Sequence, residues 1–363
     1  MESTTATEEA PPDGPLNCSA CMGSTEPSYL AYNLMVSGVI LAIVGLVGLC
    51  GNVLVVRVYL SKQLRIHSCS IYLACLAMSD FCLIVTAMFL FVLEAWRHHD
   101  NELAAWLYVT GAPAVFPLAA VFQTSSVYFC VAAAVDCFIC VVLPSVKHLY
   151  CTPKRAKITV YCIMVFCFCY NVPHMFEIEK VTCIDDGTGL NSTQICPTEF
   201  RVDPTYYHIY YSWMYTVFLA VGPLLLLVLL NICVVYTVVR TPAEEGEESD
   251  TVSLILVVFF FIFCNATALF VNFLELIFGD EIRDLIVYLV DMSNLLVVIN
   301  GTMNFFCYLI FGAQFRRTLL EIINPRRNAI KVRVDNGQWL NGESKLDHIR
   351  VPLTDGENFD DLA

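Results

Sequence analysis

Charge is scarce in this 363-residue chain: 15% of the residues are Asp, Glu, Lys or Arg, against 57% that are apolar. A soluble domain of this length carries far more charge, so the composition implies a polytopic membrane protein. Catalytic signatures are missing as well. The chain has no His-Glu-x-x-His, no Gly-x-Ser-x-Gly and no glycine-rich phosphate loop, and an enzyme is not expected. No internal repeat is present, which weighs against a transporter or channel, the alternative from another class. Residues 1–33 hold no Lys or Arg and no signal-peptide core, so the first span is expected to act as its own uncleaved signal. No nucleic-acid partner is expected.

What the chain does have is apolar runs near the ~20 residues a helix needs to cross a bilayer. There are seven, at 34–60, 69–93, 107–143, 158–178, 207–239, 251–278 and 285–311. The fold expected is an all-α membrane protein, a seven-transmembrane helix bundle over 34–311. A tail over 1–33 precedes it, expected to be disordered and extracellular. A short amphipathic helix at 312–323 follows, with Phe315, Leu319, Leu320 and Ile323 at helical spacing, and then a disordered cytoplasmic tail over 324–363. No Cys follows that helix, which excludes palmitoyl anchoring there. Pro113 and Pro117 suggest a kinked or partly extramembrane start to span three.

With an odd number of spans the two ends lie on opposite sides. Sixteen of the twenty basic residues fall on one side, all but Arg97, Lys180, Arg201 and Arg283, which makes that side cytoplasmic and the N-terminus external. The glycosylation sequons at Asn17 and Asn191 then face outward. Of 18 cysteines, Cys18, Cys21, Cys183 and Cys196 face the oxidising side, enough for two disulfides in three connectivities. Cys18-x-x-Cys21 lacks a second ligand pair, and no metal site is expected.

Polar residues inside the spans carry the functional signal, because hydrocarbon tolerates them only against other helices. Asn52, Asp80, Ser126, Asn300 and Asn304 come from four spans, and a buried Asp80 needs such polar neighbours or an ion. Gly51-Asn52, Leu76-Ala77-x-x-Asp80, Asp136 at the foot of span three, Pro223 and Asn304-x-x-x-Tyr308 together resemble the rhodopsin-like G-protein-coupled receptors. Other stretches resemble the invertebrate and nematode FMRFamide receptor group within that class. They are Gln123-Thr124 with Val127-Tyr128, Cys151 to Ala156, Tyr170 to Pro173 with Phe176-Glu177, Trp213-Met214-Tyr215, Cys264-Asn265, and Ser293 to Leu296 running on to Phe311-Gly312.

The resemblance implies a receptor in the plasma membrane that couples to a heterotrimeric G protein and binds a short peptide ending in Arg-Phe-amide. It implies no cofactor beyond a sodium ion near Asp80, held by Ser126, Asn300 and Asn304. The peptide's cation wants acids and its ring wants aromatics. Glu94, Glu275 and Asp291 are the acids expected to meet it, from a rim that includes Glu177, Glu179 and Asp284. Gln123, Tyr128, Tyr211, Trp213 and Asn272 are candidates for the deeper cup.

The chain departs from the class at its switch, Asp136, Cys137 and Tyr308. The Arg that follows the Asp in the family is Cys137 here, and a thiol has neither its charge nor its reach. The Cys expected atop span three falls near Ala112, so the usual bridge to the second outer loop cannot form. Cys183 then pairs with Cys196, or either reaches Cys18 or Cys21. The third inner loop, 241–250, is short and acidic, and Pro242 and Gly246 oppose a continuous helix there. Weak or unconventional coupling is expected, with a non-signalling decoy or partner subunit as the alternative within the family.

Overall fold

The computed structural model describes Cys18 and residues 26–97, 99, 102–184, 191–240, 245–278 and 282–323. The apolar runs become α1 (Pro27–Tyr59), α2 (Ser68–Arg97), α3 (Glu102–Val142), α4 (Pro153–Phe176) and α5 (Pro204–Arg240). A hairpin of β1 (Ile178–Ile184) and β2 (Asn191–Pro197) joins α4 to α5. Next come α6 (Glu245–Phe278), α7 (Arg283–Phe311) and the short α8 (Ala313–Ile323). Among the described residues, six helices are long and apolar enough to cross a membrane, and α6 adds the apolar stretch Ile255–Val271. Ile43, Leu229 and Phe259 are about 60% exposed on the helix surfaces. Apolar side chains left outside on this scale suit lipid and not water. The protein is a multi-pass membrane protein.

α3 is the hub. It packs against α2, α4, α5 and α6 and touches the hairpin, while α7 packs against α6, α1 and α2. At 41 residues α3 extends for about 60 Å, twice the hydrocarbon thickness, so one end stands clear of it. The helix runs unbroken through Pro113 and Pro117. Close approach of α1 to α7 depends on glycine: a Cβ at Gly51 would sit 2.9 Å from Phe305, and one at Gly48 would strike Thr302.

Two expected boundaries move. α1 begins at Pro27, inside the segment read as a tail. α6 begins at Glu245, so its first turns absorb Gly246 and the acidic run read as a loop. Acidic residues at a helix N-terminus are favoured by the macrodipole, which offsets the cost of one glycine. Wide π turns replace α turns over Leu34–Ile40, Met88–Val92 and Tyr207–Ala220.

The hairpin settles part of the cysteine question. In the antiparallel register Cys183 faces Ser192 and Cys196 faces Glu179, so the two cysteines are not opposite each other. Cys196 bonds to Cys18 instead. Cys183 is also disulfide-bonded. Of the alternatives left open, Cys196 reaching Cys18 is the one formed, and the cross-loop Cys183–Cys196 pairing is not. Ala112 is a buried helix residue on α3, and the hairpin is tethered to the N-terminal segment. Cys21 and Asn17 lie outside the described residues; Asn191 opens β2.

Candidate functional site

A buried polar cluster lies where α2, α3 and α7 meet. Asp80 has no solvent exposure; Ser126 Oγ donates to its Oδ1 at 2.5 Å and Asn304 Nδ2 to its Oδ2 at 2.6 Å. Asn52, expected as a neighbour, is used otherwise: its amide donates to the Gly48 and Gly301 carbonyls, each at 3.0 Å, and so ties α1 to α7. Gly301 keeps α7 close here, since a Cβ there would come within 3.3 Å of Asp80. Among the described residues, Asn52 Oδ1 and Asn300 Oδ1 are buried without a hydrogen-bond donor.

The foot of α3 carries the switch positions. Ser68 Oγ, the first residue of α2, donates to Asp136 Oδ2 at 2.8 Å. Cys137 turns the other way and lines a small cavity with Ala134, Leu230, Asn231, Val234, Ile255 and Val258, where α3, α5 and α6 converge. Asn231 is the polar side chain of that lining. Tyr308 is 1% exposed, packs edge-on against Tyr59 at 5.3 Å and tilted against Phe315 at 5.7 Å, and its hydroxyl is buried without a partner among the described residues.

At the opposite end the acids differ in how their charge is met. Glu94 has the Arg97 guanidinium at 3.5 Å. Glu177 is fully buried: Arg201 Nη1 donates at 2.5 Å, the Tyr206 and Tyr211 hydroxyls each at 2.6 Å, and His174 Nδ1 stands 3.0 Å away. Burial alone pushes this carboxyl's pKa up, but the His174, Tyr206 and Tyr211 contacts and the imidazole charge outweigh it and hold it down at about 2. The Arg201 guanidinium also lies over the Tyr211 ring, 4.7 Å from its centroid. Glu177, counted in the acidic rim, and Tyr211, a cup candidate, are thus occupied by the chain's own arginine.

Asp291 is different. It is 6% exposed on α7 and accepts from Asn33 Nδ2 of α1 at 3.0 Å. Among the described residues no basic side chain pairs with it. Tyr288, one turn earlier, holds Tyr29 at 5.4 Å and Tyr32 at 4.8 Å between ring centroids, so an acid and three aromatics share one corner of α1 and α7. Sequence reading did not find Asn33, Tyr29, Tyr32 or Tyr288. The only cue was Tyr288 three residues before an acid.

The other cup candidates scatter. Gln123 is half-buried on α3. Tyr128 donates its hydroxyl to the Phe218 carbonyl at 2.8 Å, bracing α3 against α5. Beside it Asn171 Nδ2 donates to Thr124 Oγ1 at 3.0 Å, fastening α4 to α3. Trp213 is 63% exposed and its indole donates to His208 of the same helix at 3.3 Å. No hydrogen bond or ring contact joins Trp213 to Gln123 or Asp291 among the described residues. The side chains of Asn272, Glu275 and Asp284 lie outside the described residues.

A hub helix, a buried acid ringed by α2, α3 and α7, and a tyrosine packed at the foot of α7 define a seven-helix receptor. The chain matches the family described as 7 transmembrane receptor (rhodopsin family) over residues 51–308, and it belongs to that family. It is 39% identical over 316 residues to the probable G-protein coupled receptor frpr-1 of Caenorhabditis elegans, across 83% of this chain and 82% of that one. It is 30% identical over 304 residues to the FMRFamide receptor of Drosophila melanogaster, across 80% of this chain and 54% of that one. Identity to the FMRFamide peptide receptor frpr-18 of Caenorhabditis elegans is 29% over 295 residues, across 77% and 67%. The chain is a receptor and not an enzyme.

Proposed function

We propose that this receptor sits in the plasma membrane with its N-terminus outside and binds a short peptide ending in Arg-Phe-amide. The observation that carries the reading is Asp291, a buried carboxylate beside three tyrosines and held by a neutral amide, where Glu94 and Glu177 already have arginine partners. A peptide guanidinium supplies the missing charge, and the tyrosine rings receive its aromatic neighbour. Two of the relatives are named as FMRFamide receptors, in line with that chemistry. The orientation rests on the basic residues gathered on one side. Asn17 and Asn191 are then the external glycosylation sites, and α8, with Leu320 and Ile323 each 64% exposed, lies along the inner leaflet.

Binding shifts a two-state helix arrangement. The fit of a sodium ion rests on oxygen chemistry: Asp80 has no cationic partner among the described residues, and Asn300 Oδ1 is a buried acceptor without a donor. Asp80, Ser126, Asn300 and Asn304 would hold the ion, which supplies positive charge that favours one arrangement. Tyr308, whose buried hydroxyl lacks a partner at a cost of about 1–3 kcal/mol, is free to gain one when the arrangement changes. Cys137, on an uncharged cavity and with no charge to offer a G protein, makes coupling weak, and this observation keeps the non-signalling decoy as a second reading.

Asp291→Asn tests the ligand site. A charge-assisted bond lost there weakens binding of an Arg-Phe-amide peptide by roughly 10- to 100-fold, measured by competition on intact cells. Unchanged affinity in a variant that reaches the surface would remove Asp291 from the site.

A further inference from the structure

We propose that Asp136, Cys140 and Cys151 form a binding site for a soft divalent metal ion, and that zinc is the ion it takes. A carboxylate oxygen and the two sulfurs lie within 4.8 Å of one another. Two elements bring them together. Asp136 and Cys140 are one turn apart on α3 and share a face. Cys151 follows the short helix Lys147–Tyr150 and is separated from Pro153, the start of α4, by the N-cap Thr152. The Cys151 thiol donates to the Asp136 backbone carbonyl at 3.7 Å, which fastens this connection to α3. Asp136 is buried while both cysteines are partly exposed, so an ion has a route in from solvent.

The donor set decides the ion. Two thiolates and a carboxylate suit tetrahedral zinc, with a water in the fourth position, and poorly suit magnesium or calcium. At Zn–S and Zn–O lengths of about 2.3 and 2.0 Å the ligand atoms stand roughly 3.5 Å apart. The three atoms therefore close by about 1 Å, within the range of a cysteine rotamer adjustment. Each thiol releases its proton to solvent as its sulfur coordinates, and the carboxylate is the third anionic ligand. Ser68 of α2, donating to Asp136 Oδ2 at 2.8 Å, orients the carboxylate from behind. The spacing Asp-x3-Cys-x10-Cys matches no linear metal motif, and only the fold assembles it. An ion held here bridges the foot of α3 to the entry of α4.

The test uses the full-length protein in detergent without added reductant. Zinc is added at about ten times its dissociation constant, and alkylation of individual cysteines is followed by peptide mass spectrometry. Labelling of Cys140 and Cys151 slows about tenfold, while Cys162, exposed on α4, labels at an unchanged rate. Cobalt as the spectroscopic probe gives thiolate charge-transfer and tetrahedral ligand-field bands for about one ion per chain, lost in Cys140→Ser and Cys151→Ser and kept in Cys162→Ser. Equal labelling of Cys140 and Cys151 with and without zinc overturns the proposal, whether or not the serine variants fold. So does a cobalt spectrum that both serine variants leave unchanged.

Discussion

Glu177→Gln keeps the shape of the side chain and removes its charge. The native carboxylate is fully buried and receives Arg201 at 2.5 Å and two tyrosine hydroxyls at 2.6 Å. Its carboxyl is held at about 2 against an ordinary 4.5. At about 1.4 kcal/mol per pKa unit this gap corresponds to about 3 kcal/mol of stabilisation. Breaking a buried ion pair by removing one partner costs a similar ~3–5 kcal/mol. The variant should therefore lower the thermal unfolding midpoint of the purified receptor by several degrees. Because the folded pKa is depressed, the stabilisation is complete above pH 4.5 and disappears as pH falls toward about 2. The difference between native and variant should follow that window. A double-mutant cycle with Arg201→Met isolates the pair, with a coupling of about 1–3 kcal/mol. A variant within about 0.5 kcal/mol of the native protein at neutral pH, or a difference that ignores acid, would refute the reasoning.

Three further outcomes follow from other parts of the molecule. If sodium at Asp80 favours the arrangement that binds peptide less well, peptide affinity falls as sodium rises and Asp80→Asn should abolish that fall in competition binding; an unchanged response would remove the ion from the cluster. Cys137→Arg should raise peptide-driven G-protein activation at equal surface expression, and no rise would show that coupling is not limited there. Cys18→Ser removes the bond that closes 178 residues between the N-terminal segment and Cys196 of the hairpin. It should lower the unfolding free energy by about 2–5 kcal/mol in thermal denaturation.

The spans were legible because crossing hydrocarbon demands a length of apolar sequence that few other structures need. Asp80, Ser126 and Asn304 were legible for the same reason, as polar groups in apolar runs that must find one another. That Asn52 bonds backbone and not Asp80 was not legible, because a buried amide is satisfied as well by a backbone carbonyl, and pattern does not show that Gly301 comes close enough. The rim acids look alike in sequence. Whether one is neutralised depends on partners such as Arg201, 24 residues beyond Glu177 and across the hairpin. Trp213 was a candidate for the cup, yet α5 is wound as π turns over Tyr207–Ala220, and each wider turn rotates the face that follows. Gly222 closes that stretch, where a Cβ would strike the Val217 carbonyl. The disulfide of Cys18 needed the fold, since composition left three pairings open.

The most direct measurement is a parallel one: saturable binding of Arg-Phe-amide peptides to cells displaying the protein, and G-protein activation in the same cells. Binding is expected for the amidated peptide and weakened by Asp291→Asn, with activation small in the native protein and larger in Cys137→Arg. Absence of saturable binding by any Arg-Phe-amide peptide, with the receptor present at the surface, would contradict it.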